Sequence, residues 1–168
     1  MKKSLFALIY ILMLATVGCL AWSCSDQNDE VPVIIPENNL PQTAQSFITT
    51  YFPGQKVLKV EMKIDDNKDA GYEVRFDNGD EVEFDTSGNW TKVEMTQLRT
   101  VPDALVPVQI SEYVTTNYPG DKGRIMDLER EFDRTGNIVK WEVELYYNTT
   151  EIDFTPDFKV SYDEGQKK

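Results

Sequence analysis

Pro41-Gln-Thr-Ala-Gln-Ser-Phe-Ile-Thr-Thr-Tyr-Phe-Pro-Gly54 and Pro107-Val-Gln-Ile-Ser-Glu-Tyr-Val-Thr-Thr-Asn-Tyr-Pro-Gly120 match position by position. A segment that recurs in register marks a tandem duplication, and it sets where each core-forming unit begins. In the first copy Ala44, Phe47, Ile48 and Tyr51 fall at i, i+3, i+4 and i+7, one face of an amphipathic helix, with Pro41 suited to its first turn and Pro53-Gly54 to its stop. The second copy places Ile110, Tyr113 and Val114 equivalently. Asn117 stands where the first copy has Tyr51, so that end of the second helix is expected to be less buried.

After each helix the period changes to alternation, and β-branched and aromatic residues take over, as strands require. The first unit reads as strands Val57–Ile64, Gly71–Asp77, Asp80–Asp85 and Trp90–Met95, with Asn78-Gly79 as a two-residue hairpin turn and Ser87-Gly88 as a second turn. The second reads as Arg124–Phe132, Ile138–Tyr147, Glu151–Thr155 and Phe158–Tyr162. Tyr72-Glu-Val aligns with Trp141-Glu-Val, and Glu81-Val-Glu-Phe84 with Glu151-Ile-Asp-Phe154. The expected fold is α+β: two tandem repeats, residues 41–98 and 102–165, each one helix packed on a four-stranded antiparallel meander, with the sheets forming a joint open surface. Tyr72, Val74, Phe76, Val82 and Phe84, like Trp141, Val143, Leu145, Ile152 and Phe154, should face the helices. Glu73, Arg75, Glu81, Glu83, Glu142, Glu144, Glu151 and Asp153 take the opposite phase, leaving an acidic face to solvent or a partner.

Residues 1–23 carry Lys2 and Lys3, an apolar run from Leu5 to Leu20 and then small residues before a cysteine, the layout of a bacterial export signal. Cys19 and Cys24 compete as the lipidation site. Cys24 is preferred, because Ser25-Asp26-Gln27-Asn28-Asp29-Glu30 behind it resembles the acidic surface-export tags of some lipoproteins. Residues 24–40 then read as an acidic flexible tether. An acylated Cys24 would make the chain an outer membrane lipoprotein facing the periplasm or the cell surface, touching membrane only through its anchor. The mature body would hold no other cysteine, so an apolar core rather than a disulfide must stabilise it.

The helix stops, the Tyr/Trp-Glu-Val strands and the segment Phe76-Asp-Asn-Gly-Asp-Glu-Val-Glu-Phe-Asp-Thr-Ser-Gly-Asn-Trp90 together resemble the PepSY-like lipoproteins related in fold to the secreted β-lactamase inhibitor protein. The resemblance spans about residues 40–163. It implies tandem helix-plus-four-strand units with a concave sheet surface, and a binding or inhibitory role without catalysis. No contact residue of the inhibitor can be carried over by a local motif.

Histidine is absent from the whole chain. That removes the commonest general base and every Ser-His or Cys-His nucleophile arrangement. No glycine-rich phosphate loop or dinucleotide fingerprint is present. Glu81 and Glu83, or Glu142 and Glu144, lie about 6.6 Å apart on one strand face, within glycosidase spacing. Alternating glutamates on a solvent-facing strand equally serve solubility and protection of sheet edges, and this reading is preferred. Asp65-Asp66-Asn67-Lys68-Asp69 offers oxygen ligands at alternate positions. It fails the calcium-loop pattern, because glycine comes late at Gly71 and Phe76 stands where the closing glutamate belongs. No cofactor and no metal site is therefore expected.

The formal net charge is −12, and −14 once Lys2 and Lys3 leave with the leader, which argues against nucleic acid and anionic lipid as partners. If Val93 and Met95 keep the core phase of their strand, Trp90, Lys92 and Glu94 face outward, and Tyr146 does so opposite Leu145. A bulge after Gly88 would instead turn Trp90 inward. The expected binding face comprises Trp90, Lys92, Tyr146, Glu73, Glu142 and Glu144, since aromatics on a charged sheet suit recognition of a protein or glycan. The expected function is a non-enzymatic, lipid-anchored envelope binding module, inhibition of a secreted hydrolase being one form of it. The alternative is an envelope structural or accessory protein without a discrete ligand.

Overall fold

A computed structural model describes residues 33–63, 70–96, 99–146 and 150–166. The leader, Cys19, Cys24 and the Asp65–Asp69 loop lie outside the described residues. Nine strands run in chain order across a single antiparallel sheet: β1 Val33–Ile35, β2 Val57–Lys63, β3 Gly71–Phe76, β4 Glu81–Asp85, β5 Trp90–Glu94, β6 Ile125–Phe132, β7 Ile138–Leu145, β8 Glu151–Phe154 and β9 Val160–Asp163. Helix α1, Gln42–Tyr51, lies in the β1–β2 connection, and helix α2, Val108–Asn117, in the β5–β6 connection.

This corrects the expected fold class of two helix-on-four-strand repeats. The halves fuse through β5 and β6, where Lys92 pairs with Glu129, Val93 with Leu128 and Glu94 with Asp127. Fusion has a physical reason: each meander alone would leave a strand edge unpaired. Joined, Val93 and Leu128 are both wholly buried, and Lys92 Nζ reaches Asp127 Oδ2 at 2.9 Å across the seam. Residues 33–40 differ from the tether expected there. Val33–Ile35 pairs with Val60–Met62 as an edge strand, and Glu37–Asn39 forms a short 3-10 turn.

Both helices cover one face of the sheet, and their apolar stripes merge with it into one core. Ala44, Ile48 and Phe52 join Val60, Val74, Phe76, Val82 and Phe84, while Ile110 and Val114 join Val143, Leu145, Ile152 and Phe154. The chain leaves each helix just after a capping N–H, from Phe52 to the Ile48 carbonyl and from Tyr118 to the Val114 carbonyl. Gly88 fixes how closely the β4–β5 turn meets the start of α1. It has φ +84°, and a Cβ there would lie 2.7 Å from Pro41 Cβ and 3.0 Å from the Ala44 nitrogen, so only glycine fits.

Candidate functional site: an uncovered acidic sheet face and a cleft at its seam

Alternation delivers every second side chain of the sheet to the face without helices. One row across the strands reads Glu61, Glu73, Glu83, Lys92, Glu129, Glu142 and Asp153, and the next reads Arg75, Glu81, Glu94, Asp127, Glu144 and Glu151. Like charges directly opposite repel. Interleaved cations hold the ladder together. Arg75 bonds Glu81 at 2.6 Å and Glu73 at 2.8 Å, Lys63 reaches Glu83 at 2.8 Å, and Lys140 bonds Glu131 at 2.6 Å and Glu142 at 2.7 Å.

Asp127 is the most perturbed carboxyl of the face. Burial pushes it up to about 7, Glu144 and Glu94 add to the rise, and Lys92 only partly opposes them. Burial also raises Glu151 and Asp153, with Glu142 contributing to both. Glu73, Glu81 and Glu83 bring carboxylate oxygens within 4.8 Å of one another, as do Glu142, Glu151 and Asp153. Each cluster already holds an internal cation: Arg75 and Lys63 in the first, Lys140 in the second.

Four of the residues expected in the binding face stand on it, namely Glu73, Lys92, Glu142 and Glu144. Trp90 does not. The β4–β5 register shifts between Glu83 and Phe84, so that Lys92 opposes Glu83 while Trp90 opposes Phe84. The extra residue, Thr91, reverses the parity, and Trp90 turns to the helix face against Phe47 and Trp141, with centroids 6.1 and 6.2 Å away. Tyr146 sits beyond the end of β7, where its N–H bonds the Arg124 carbonyl at 2.8 Å and the Arg124 guanidinium lies 5.7 Å from its ring. Arg124 immediately precedes β6 and Arg130 lies within it, about 20 Å farther along the strand, so Trp90 and Tyr146 do not form one aromatic centre.

Arg130 was not singled out from the sequence, although its signal is there: it follows Leu128 in the core phase, where alternation asks for an apolar side chain. Because β5 and β6 pair only over Lys92–Glu94 and Asp127–Glu129, the strands part beyond that point. A cleft of about 1790 Å³ opens there, walled by Phe47, Phe84, Trp90, Arg130 and Phe132 and rimmed by open-face carboxylates. The Arg130 guanidinium lies 3.7 Å over the Trp90 ring and 5.3 Å from the Phe132 ring, and it donates to the Trp90 carbonyl. Burial lowers it to about 10, Asp85 opposing. Its Nε–H and the Nε1–H of Trp141, the residue opposite it on β7, are buried without an acceptor among the described residues.

A family model described as "Putative beta-lactamase-inhibitor-like, PepSY-like" matches residues 22–69 and 70–162. The fold is similar to three crystal structures. One, provisionally described as a periplasmic protein from Bacteroides vulgatus, is 40% identical over 81% of this chain and 98% of that one, with a TM-score of 0.70. A second, from Bacteroides thetaiotaomicron and provisionally described as calcium-regulated and periplasmic, is 37% identical over 79% of this chain and 96% of that one, with a TM-score of 0.69. The third, a Bacteroides vulgatus protein provisionally described as periplasmic and of unknown function, is 28% identical over 79% of this chain and 100% of that one, with a TM-score of 0.66. No curated protein matches the chain. With the family model covering most of its length, the chain belongs to the PepSY-like, β-lactamase-inhibitor-like family.

Proposed function

We propose that the protein is an exported, non-enzymatic binding module, tethered through an acylated Cys24, whose uncovered sheet face recognises a cationic surface of an envelope protein. One observation carries this reading: carboxylates occupy both rows of a face spanning β2 to β8, and both helices lie on the other side. Such a face steers and selects basic partners more than it supplies raw affinity. Absence of histidine and the commitment of Glu81, Glu83 and Glu142 to Arg75, Lys63 and Lys140 support a role without turnover. The periplasmic description of similar structures supports an envelope location, and the inhibitor-like family description supports inhibition of a secreted hydrolase as one form of binding.

The test is capture from envelope extracts followed by direct titration of the captured partner. Binding should fall steeply with salt, and Glu142→Lys with Glu144→Lys should weaken it at least tenfold without lowering the unfolding midpoint. Binding indifferent to both salt and charge reversal would refute it.

A second reading, calcium control of this face, is favoured by the two carboxylate clusters and by the description of the Bacteroides thetaiotaomicron structure. Calcium would have to displace Lys140 or the Arg75–Lys63 pair. Calorimetric titration with calcium chloride decides it: heat that vanishes in Glu151→Gln would carry this reading, and a flat titration would end it.

A further inference from the structure

We propose that the cleft between β5 and β6 is a receptor for a side-chain carboxylate, presented beside an aromatic residue on a loop of the partner protein, with Arg130 as its recognition group. The inference deepens the binding-module reading and rests on it for the partner, while the cleft can be probed alone.

The chemistry starts from an incomplete hydrogen-bond inventory. A guanidinium offers five N–H donors in a fixed plane. Here one edge bonds the Trp90 carbonyl, yet Nε–H is buried with no acceptor among the described residues, and so is Trp141 Nε1–H on the adjacent strand. Buried donors without acceptors are uncommon and costly. Arg130 lines the cleft and Trp141 stands opposite it on the adjacent strand, just behind the cleft wall, so two donors without an acceptor lie together at this place. A carboxylate suits a guanidinium edge better than a carbonyl does, because it can take two parallel N–H bonds.

Arg130 is also preorganised. The Trp90 and Phe132 rings flank it, which fixes the guanidinium plane and reduces the entropy lost on binding. Phe132 is exposed at the cleft, and Phe47 and Phe84 line its helix side, so the cleft offers apolar surface for an aromatic neighbour of the carboxylate. The rim supplies the selectivity. Glu83, Glu129 and Glu131 line the same cleft from the uncovered face and would repel a densely anionic ligand. A single carboxylate within an otherwise neutral or basic segment is therefore the matching ligand. Lining groups come from both faces of the sheet, which suits a segment laid across the cleft, as a loop is, more than a chain end.

The probe is a blocked tetrapeptide, acetyl-Ala-Phe-Glu-Ala-amide, titrated into ¹⁵N-labelled full-length protein in mild detergent. The side-chain N–H resonances of Arg130 and Trp141 are followed by NMR. So small a ligand should bind with Kd of about 1 mM. The expected result is a saturable downfield shift of Arg130 Nε–H and of the Trp141 indole N–H. Acetyl-Ala-Phe-Gln-Ala-amide should shift them at least tenfold less effectively. Arg130→Gln should abolish the Trp141 response, and Arg130→Lys, which keeps the charge but removes the planar fork, should weaken it by about fivefold or more.

Equal response to the glutamine peptide, or none at about 10 mM, overturns the proposal. A response only to a peptide whose sole carboxylate is its free C-terminus overturns the loop assignment. Because the glutamine comparison uses the unaltered protein, the test survives misfolding of either variant. Failure here with salt-sensitive capture intact would remove the cleft and leave the acidic-face reading standing.

Discussion

The ring of Phe47 meets that of Phe84 edge-on, with centroids 5.5 Å apart and planes at 87°. Tyr113 repeats the contact with Phe154 at 5.5 Å and 88°. The duplicated helices thus grip the sheet in the same way, each through an aromatic at the same repeat position and a phenylalanine on the third strand after the helix. Phe47→Ala should lower stability by about 2–3 kcal/mol, below the range of a fully buried ring because Phe47 is only half-buried. Urea unfolding measures this. A midpoint unchanged within error would show that α1 is not packed through Phe47.

Trp90 lies on the helix side, so Trp90→Ala should cost fold stability, about 2–3 kcal/mol, by removing contacts to Phe47 and Trp141 and the face beneath Arg130. Tyr146→Ala acts at the far end of β6, and the two changes should add within about 0.5 kcal/mol. A double-mutant cycle deviating by more than 1 kcal/mol would mean that the residues share a cluster after all.

Asp127 gives the acidic face a pH signature. Its carboxyl titrates near 7 when folded and near 3.9 when unfolded. Between those values the native state holds a proton that the unfolded chain has lost, so stability falls as pH rises through that window. Asp127→Asn removes that loss. Relative to the unaltered protein it should gain on the order of 1–3 kcal/mol between pH 4 and pH 7. Stability profiles that stay parallel across that range would contradict the assignment.

Gly88→Ala should destabilise by more than Gly136→Ala. Both glycines have φ +84°, so both substitutions pay the backbone cost of about 1 kcal/mol. Only at Gly88 does the new methyl meet α1; nothing lies within 4 Å at Gly136. Equal unfolding midpoints for the two variants would show that the β4–β5 turn does not seat against the helix.

Helix stripes and strand phases were legible because each depends on neighbours a few residues away. Val74, Val82, Val143 and Ile152 all fall on the side that alternation assigns. Trp90 was ambiguous for the same reason: the single extra residue Thr91 reverses parity, and nothing local marks it apart from the preceding turn. Fusion of the two meanders was hidden. It pairs Glu94 with Asp127, carboxylates that a sequence reading would keep apart, and the compensating Lys92 acts across the seam at long range. Val33–Ile35 was absorbed into the tether because a three-residue edge strand beside acids and a proline has no period to reveal it. The cleft was missed because it arises where pairing stops, which no motif encodes.

Strand order along the sheet repeats strand order along the chain, with consequences for folding kinetics. Most neighbouring strands are joined by short connections, and among the described residues two closures span a helix: from Ile35 to Val57 and from Glu94 to Ile125. Loop-closure entropy grows slowly with length, and proteins rich in near-neighbour contacts fold fast. Those two closures should therefore limit the rate. The strand added last, β9, is latched to α2 and the turn after it by Tyr113 and Tyr118, whose hydroxyls both donate to Asp163. A chain that meets its folding compartment amino end first can build this sheet strand by strand, each new strand finding its partner already in place.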